Sequence, residues 1–221
     1  MSDFFVVATP IGNLGDMSER ALSTLRSVDL ILCEDTRVTK KLLDRYDIKT
    51  KTQSYHQHSK ISKIDQIKEL VRDDKNIALV SDAGTPGISD PGGKLIEELI
   101  NEFEDEIKII PIPGPSAVTA LLSASGLPSD KFIFMGFPPH KKGRQKFFTE
   151  LADQKYTVVI YESPHRILKT LDELSSSIAD RKIVVGRELT KKFESIYRGT
   201  ADELKSIVKE KGEFVIAISA K

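Results

Sequence analysis

The sequence predicts an α/β protein of two domains, the first on a parallel sheet and the second on a smaller sheet with some antiparallel pairing. Short apolar runs alternate with amphipathic helical patterns through the first half. The proline-rich stretch PIPGP at residues 111–115 interrupts this alternation, and strands and helices resume beyond it. A length of 221 residues accommodates one large domain or two small ones.

The elements of the first half follow from apolar periodicity. Apolar runs predict buried strands at residues 4–8, 29–33, 76–80 and 108–111. Residues 18–26 place Ala21, Leu22 and Leu25 on one helical face, and similar stripes predict helices at 59–72 and 94–103. Strand–helix–strand order of this kind is typical of a parallel sheet covered by helices.

The three prolines at 111–115 are incompatible with a helix interior and with a central strand. We therefore place the domain boundary there and predict domains at residues 1–112 and 113–221. In the second domain the pattern predicts helices at 116–125, 143–152, 165–178 and 201–209. It also predicts strands at 132–136, 157–161, 182–186 and 213–219, with 193–198 as a candidate added strand.

Composition limits the function classes. The 33 basic and 33 acidic residues cancel, so total charge does not indicate a strongly basic nucleic-acid binder, although local patches remain open. Cys33 is the single cysteine, which excludes an intrachain disulfide and fits a reducing compartment. No apolar run approaches the roughly 18 residues of a membrane span, and the N-terminus leads directly into a strand. We expect a cytoplasmic protein with no membrane partner.

The stretch VSDAGTPGISDPG at 80–92 follows a predicted strand and holds three glycines and two prolines. Glycines expose the backbone to a ligand and prolines stiffen the loop, so we expect a ligand site at this strand end. The first strand ends in TPIGNLGD, which lacks the G-x-G-x-x-G spacing of a nicotinamide-binding domain, although Glu34 follows at about the distance of a ribose-binding acid. The sequence contains no P-loop motif.

Six motifs then occur in order: ATPIGNLGDMS, CEDTR, SDAGTPGISDPG, IPGPSAV, YESPHRI and RELTK. Together they resemble the ribosomal RNA small subunit methyltransferase I family, which has the tetrapyrrole-methylase-type fold. The resemblance covers essentially the whole chain. It implies two α/β domains with a cleft for S-adenosylmethionine between them, and a homodimer. It also implies methylation of the ribose 2′-hydroxyl of a decoding-centre cytidine in the 16S rRNA of the small ribosomal subunit.

The resemblance also implies which residues bind the cofactor. In the first domain these are Pro10, Gly12, Ser81, Asp82, Ala83, Gly84, Thr85 and Ile88. After the proline-rich stretch they are Ser116, Ala117, Tyr161, Glu188 and Leu189.

Two carboxylates at strand ends are candidates for the base that accepts the ribose proton, Asp35 and Glu162. The alternative is that these carboxylates only orient neighbouring arginines, Arg37 and Arg166. A base is not required if positioning carries the rate.

Basic residues supply candidate RNA contacts. Arg37, Lys40 and Lys41 are expected on a helix after the second strand, and Lys141, Lys142 and Arg144 form a denser patch after two prolines. Arg166 follows the Glu-Ser-Pro turn. The alternative for each cluster is a solvated surface.

Several other interpretations stay open. His56 and His58 would face the same way on an extended segment, as two metal ligands would. A polar substrate-side loop is the better interpretation, and no metal is predicted. Members of the family often continue beyond the last strand, whereas this sequence ends at Lys221, which bears on RNA affinity rather than on the cofactor site. One rival is a methyltransferase of the same fold acting on a tetrapyrrole, another small molecule or a protein side chain. A second is an RNA-binding module without catalysis.

Overall fold

The structure is a computed structural model that describes residues 1–56, 61–90 and 92–221, with the side chain of Ile61 left out. Three sequence predictions extend outside the described residues: His58 of the histidine pair, Pro91, and the first two residues of the helix expected at 59–72. The chain divides into two compact units, Met1–Ser116 and Ala117–Lys221. The limits 1–112 and 113–221 remain our proposal for the domains.

The N-terminal unit contains an all-parallel sheet, as predicted. Its strands are β1 (Ser2–Val7), β2 (Leu30–Cys33), β3 (Thr52–Ser54), β4 (Ile77–Val80) and β5 (Ile107–Ile112), in the order β3-β2-β4-β1-β5. The helices of the described part are α1 (Glu19–Ser27), α2 (Thr36–Arg45), α3 (Ile61–Arg72) and α4 (Gly93–Phe103). The short, polar strand β3 carries no apolar signal and was not predicted.

Strand β4 shows why the parallel sheet appears in the sequence as continuous apolar runs. All four of its residues are buried. Ala78 and Val80 pack in the core cluster that contains Leu25 of α1, whereas Ile77 and Leu79 pack in the cluster that contains Leu95 of α4. Both faces of the strand are therefore covered by helices, so no position alternates toward water.

Strand β5 continues through Pro111 to Ile112. Proline has no N–H group to donate to a sheet ladder, so it is confined to edge strands and strand ends. Within the described sheet β5 lies at the edge and pairs with β1 alone, with Val6 opposite Pro111. The edge position explains how the strand accommodates this proline.

The C-terminal unit contains a mixed sheet, which confirms the predicted class. Its strands are β6 (Phe132–Phe134), β7 (Thr157–Glu162), β8 (Ile183–Arg187), β9 (Ser195–Gly199) and β10 (Phe214–Ile218), in the order β6-β7-β10-β8-β9. Only β6 and β7 pair in parallel among the described strands of this sheet. The helices described here are α5 (Ala117–Ser125), α6 (Arg144–Ala152), α7 (Ile167–Ile178) and α8 (Ala201–Ile207).

One core cluster holds this unit together. Ile160 of β7 and Ile216 of the central strand β10 are fully buried against Leu151 of α6, Leu171 of α7 and Leu204 of α8. Across the described ranges, no helix combines the length and apolar character needed to cross a bilayer.

Candidate active site

The loops after β1 and β4 are joined by direct hydrogen bonds. The N–H of Thr9 donates to the carbonyl of Gly84 at 2.9 Å, and the N–H of Gly84 donates back to the carbonyl of Thr9 at 3.1 Å. The Thr9 hydroxyl donates to the carbonyl of Ser81 at 3.0 Å, and the Ser81 hydroxyl donates to that of Gly84 at 3.1 Å. These hydrogen bonds hold the two loops together.

Glycines permit these loops to approach one another. Gly84 has φ = +83°, a conformation that other residues rarely adopt. A Cβ added to Gly84 would lie 3.5 Å from Cγ2 of Ile11 and 3.8 Å from the carbonyl oxygen of Pro115. A Cβ added to Gly114 would lie only 3.0 Å from the Cβ of Ala8. The loops after β1, β4 and β5 thus meet at the carboxyl edge of the sheet, where parallel sheets bind ligands.

The predicted cofactor residues of this unit lie on these loops. Pro10 and Ser81 are buried, whereas Gly12, Asp82 and Ala83 are exposed. Ile88 is half exposed, at 50%. The arrangement brings the residues after β1 and β4 together, but it does not assign a contact with the cofactor to any of them.

Glu34, directly after β2, lies near Asp82 and Asp90 of the loop after β4, an acidic cluster that the sequence did not predict. Burial, together with the charges of Asp90 and Asp82, raises the pKa of Glu34 to about 7. Its Oε1 atom is buried without a hydrogen-bond partner. Burial also raises the pKa of Asp90 to about 6. A hydrogen bond with Ser81 lowers this pKa, and the charge of Asp82 raises it further. No three His, Cys, Asp or Glu side chains in the described ranges form a metal-binding group.

Asp35 has a local structural role. Its carboxylate caps α2 by accepting from the N–H of Arg37 at 2.8 Å, and it pairs with the Arg37 guanidinium at 2.6 Å. These hydrogen bonds hold the pKa of Asp35 at about 2. Its own N–H donates to Asp82 at 3.1 Å, which ties β2 to the loop after β4. Orientation of Arg37 is thus present, while a role as base stays a prediction.

Lys40 and Lys41 lie on α2 with exposed side chains, and the Arg37 side chain is 86% exposed. Their position after β2 agrees with the predicted helix. Contact of these three cations with RNA remains a prediction.

In the C-terminal unit the Glu162 carboxylate is fully buried and surrounded by donors. Oε1 accepts from the N–H of Ser163 at 2.7 Å and pairs with Nη2 of Arg166 at 2.9 Å. Oε2 accepts from the Thr170 hydroxyl at 2.6 Å and lies 3.9 Å from Nη1 of Arg144. A carboxylate with both oxygens engaged is poorly placed to accept a substrate proton, so the geometry favours the alternative that Glu162 orients Arg166.

Arg144 and Arg166 are placed differently from the RNA-facing position expected for them. The Arg144 side chain is 5% exposed; it donates to the carbonyl of Pro139 at 3.1 Å and pairs with Glu173 at 2.6 Å. The Arg166 side chain is 15% exposed and donates to the carbonyl of Pro138 at 2.9 Å. Buried guanidinium groups with protein partners are not available to a phosphate in this structure. We therefore do not retain either residue as an RNA contact.

Lys141 and Lys142 remain exposed, together with His140 and Gly143. We call residues 140–143 the basic loop. It is the part of the predicted basic patch that keeps accessible cations.

Of the predicted cofactor residues of this unit, Ala117 begins α5, whereas Tyr161, Glu188 and Leu189 lie at strand ends. The Tyr161 ring at the end of β7 contacts the rings of Phe134 and Phe137, with centroids 4.9 and 5.3 Å away. Glu188 follows β8 with φ = +51°, and its neighbour Leu189 is buried. Burial opposes ionisation of Glu188, but hydrogen bonds from the Glu213 N–H and from Lys191 outweigh it and lower its pKa.

Relatives of known name share this sequence over nearly its whole length. The chain is 46% identical to "Ribosomal RNA small subunit methyltransferase I" of Synechocystis sp., over 99% of the chain and 79% of the relative. It is 44% identical to the Bacillus subtilis protein of that name, over 99% and 75%. Against the Thermotoga maritima protein the identity is 42%, and all of both sequences is covered.

Solved structures show the fold. The methyltransferase CobJ matches with a TM-score of 0.72 at 16% identity, over 100% of this chain and 95% of that one. Diphthine synthase matches with the same score and identity, over 100% and 90%. At such identities the likeness carries the architecture and not the substrate.

The sequence model described as Tetrapyrrole (Corrin/Porphyrin) Methylases matches residues 3–205. This agrees with the predicted fold class and with the motif resemblance. The chain belongs to the tetrapyrrole methylase family and, within it, to the ribosomal RNA small subunit methyltransferase I group.

Proposed function

We propose that this protein is an S-adenosylmethionine-dependent methyltransferase that modifies the ribose 2′-hydroxyl of a decoding-centre cytidine in 16S rRNA. The observation that carries the proposal is 42–46% identity, over nearly the whole chain, to relatives named "Ribosomal RNA small subunit methyltransferase I". The small ribosomal subunit is the macromolecular partner under this proposal. A homodimer and a cytoplasmic location belong to it as well.

The loops of the N-terminal unit fit the proposed cofactor. The Thr9–Gly84 bridge and the positive φ of Gly84 hold backbone groups at the carboxyl edge of the sheet. A site that is ordered beforehand loses little conformational entropy on binding. The cofactor residues predicted from the sequence, among them Pro10, Gly12, Glu188 and Leu189, are proposed to contact the cofactor.

The reaction is a displacement at a methyl carbon. S-adenosylmethionine supplies an electrophilic methyl group on a positively charged sulfur. The ribose oxygen forms the new C–O bond as the C–S bond breaks, and the hydroxyl proton leaves to a base or to water. Positioning accounts for most of the expected rate, since well-oriented intramolecular reactions reach effective molarities of about 10⁵–10⁸ M.

The structure bears on the choice of base. Asp35 is ionised and partly accessible, with 29% of its side chain exposed, whereas Glu162 is enclosed by donors. Both carboxylates have their oxygens engaged, Asp35 by Arg37 and Glu162 by its buried donors, so only the exposure of Asp35 favours it as the proton acceptor. A pKa of about 2 makes it a weak base, which agrees with a reaction that depends mainly on positioning.

The proposal is tested with labelled S-adenosylmethionine and three acceptors: unmodified small ribosomal subunits, protein-free 16S rRNA and a tetrapyrrole. We expect label in RNA of the subunit or of the free rRNA. Transfer to the tetrapyrrole alone would support the rival activity. RNA binding without methyl transfer or cofactor binding would support the non-catalytic module.

A further inference from the structure

We propose that Phe137 and the basic loop together form a binding site for single-stranded RNA. In this site Phe137 stacks on an unpaired base, and Lys141 and Lys142 bind the adjacent phosphates. The inference rests on the proposed function, because it locates part of the contact with the RNA substrate.

The backbone between Phe137 and the basic loop is anchored from inside the unit. The carbonyls of Pro138 and Pro139 accept hydrogen bonds from Arg166 at 2.9 Å and from Arg144 at 3.1 Å. Both guanidinium groups face the same buried carboxylate, that of Glu162. Two successive peptide groups are thus fixed by one buried charge network. This network also restricts the backbone of the neighbouring surface residues, Phe137 and the basic loop.

Phe137 has the exposure expected of a stacking residue. Phe137 is 50% exposed. Its ring contacts that of Tyr161, with the centroids 5.3 Å apart and an interplanar angle of 56°. Tyr161 in turn contacts Phe134. The ring is therefore supported by other rings while half of the residue faces solvent. Aromatic rings held in this way are the usual platform for unpaired bases.

The cations lie close enough to act with the ring. Lys141 follows Phe137 by four residues, so their Cα atoms are at most about 14 Å apart even in a fully extended chain. The N–H of Arg144 donates to the carbonyl of Lys141 at 3.2 Å, which forms the turn into α6. The Lys141 and Lys142 side chains are exposed. A short stretch of single strand can therefore contact the ring and the loop at once.

The local charge favours nucleic acid over an apolar protein partner. The stretch FPPHKKG at residues 137–143 contains two lysines and a histidine but no acidic residue, although the whole chain is neutral. An exposed ring beside exposed cations matches a polyanion with stacking bases. A purely apolar partner would bury the ring and leave the cations without a counter-charge.

A tryptophan reporter tests the proposal, since the chain has no tryptophan. Phe137→Trp should keep a stacking ring, and its fluorescence should be quenched by a single-stranded RNA oligonucleotide of decoding-centre sequence. The matched control is Tyr156→Trp. Tyr156 is 44% exposed and has Lys131 over its ring at 5.7 Å, but it precedes β7, at the opposite end of the strand from Tyr161. RNA should leave the emission of this control unchanged.

Phe137→Leu then removes the ring while keeping an apolar side chain. We expect the dissociation constant of the oligonucleotide to rise about ten-fold, in line with stacking contributions of one base. Tyr156→Leu should change it less than two-fold, and S-adenosylhomocysteine should bind both variants as it binds the wild type.

Each failure has a distinct meaning. Normal methylation of small subunits by the wild type, with equal RNA affinity for Phe137→Leu and Tyr156→Leu, would overturn this inference and leave the proposed function intact. Absence of methyl transfer by the wild type would overturn the proposed function. Emission of Phe137→Trp that shifts with protein concentration and not with RNA would show that a second copy of the chain covers the ring.

Discussion

Replacing Glu162 by glutamine separates a structural from a catalytic role of this buried carboxylate. The substitution keeps the shape but turns one oxygen into a donor that faces other donors, and it leaves the guanidinium groups of Arg144 and Arg166 without their shared charge. Removing one partner of a buried ion pair costs about 3–5 kcal/mol. The amide oxygen can still accept one hydrogen bond, so we expect the free energy of unfolding to fall by about 3 kcal/mol.

The assay combines thermal denaturation with turnover at 25 °C. For a chain of this size 1 kcal/mol corresponds to roughly 2–4 °C, so the midpoint should fall by about 6–12 °C. Turnover of the protein that remains folded should stay within a few-fold of the wild type. A base instead predicts a fall in turnover of about 100-fold or more with little change in the thermal midpoint. That second outcome would refute the structural role.

Glu173→Gln is the matched control. Glu173 pairs with the same Arg144 but is 30% exposed, so water can replace the lost contact. We expect a loss of about 1 kcal/mol or less and a shift of the thermal midpoint by no more than about 4 °C. Equal shifts in Glu162→Gln and Glu173→Gln would contradict the assigned difference in burial.

Three further predictions concern the loops and their charges. Gly84→Ala should weaken S-adenosylhomocysteine binding about ten-fold in calorimetry. The control Gly126→Ala, at a similar φ of +76° with open space around it, should only lower stability. Equal affinities of the two variants for S-adenosylhomocysteine would contradict the role of Gly84. The pKa of Glu34 is raised from 4.5 to about 7, so ionisation disfavours the folded wild type increasingly as pH rises through this window. Glu34→Gln removes that penalty of about 3 kcal/mol, so its thermal midpoint should gain on the wild type by about 6–12 °C more at pH 8 than at pH 4.5. A constant difference between the two proteins would contradict the shift. In the double variant Lys141→Glu, Lys142→Glu, the slope of log binding constant against log salt concentration for RNA should become about 1.4 units less steep. An unchanged slope would show that both lysines are merely solvated surface residues.

The sequence predicted most features that depend on local patterns. Continuous apolar runs indicated buried parallel strands, and glycine density marked the loops that meet at Thr9 and Gly84. It failed where a residue's role depends on distant partners. Arg144 belongs to a run of basic residues and was expected at the surface, but its partners Thr170 and Glu173 lie one turn apart on α7. Only their spacing of three residues would have indicated a shared helical face.

The strand β3 shows a second limit. Its residues Thr52, Gln53 and Ser54 are polar and only partly buried, and the strand forms at the edge of the sheet through backbone hydrogen bonds with β2. Short edge strands of this kind depend on their neighbour rather than on their own side chains, so periodicity does not reveal them.

The central claim is tested most directly by mapping the methyl group. Unmodified small ribosomal subunits would be incubated with the protein and methyl-labelled S-adenosylmethionine, and the 16S rRNA digested for mass spectrometry of its nucleosides and fragments. We expect one labelled 2′-O-methylcytidine within the decoding centre. Label on a base, on ribosomal protein, or on a ribose outside the decoding centre would contradict the account.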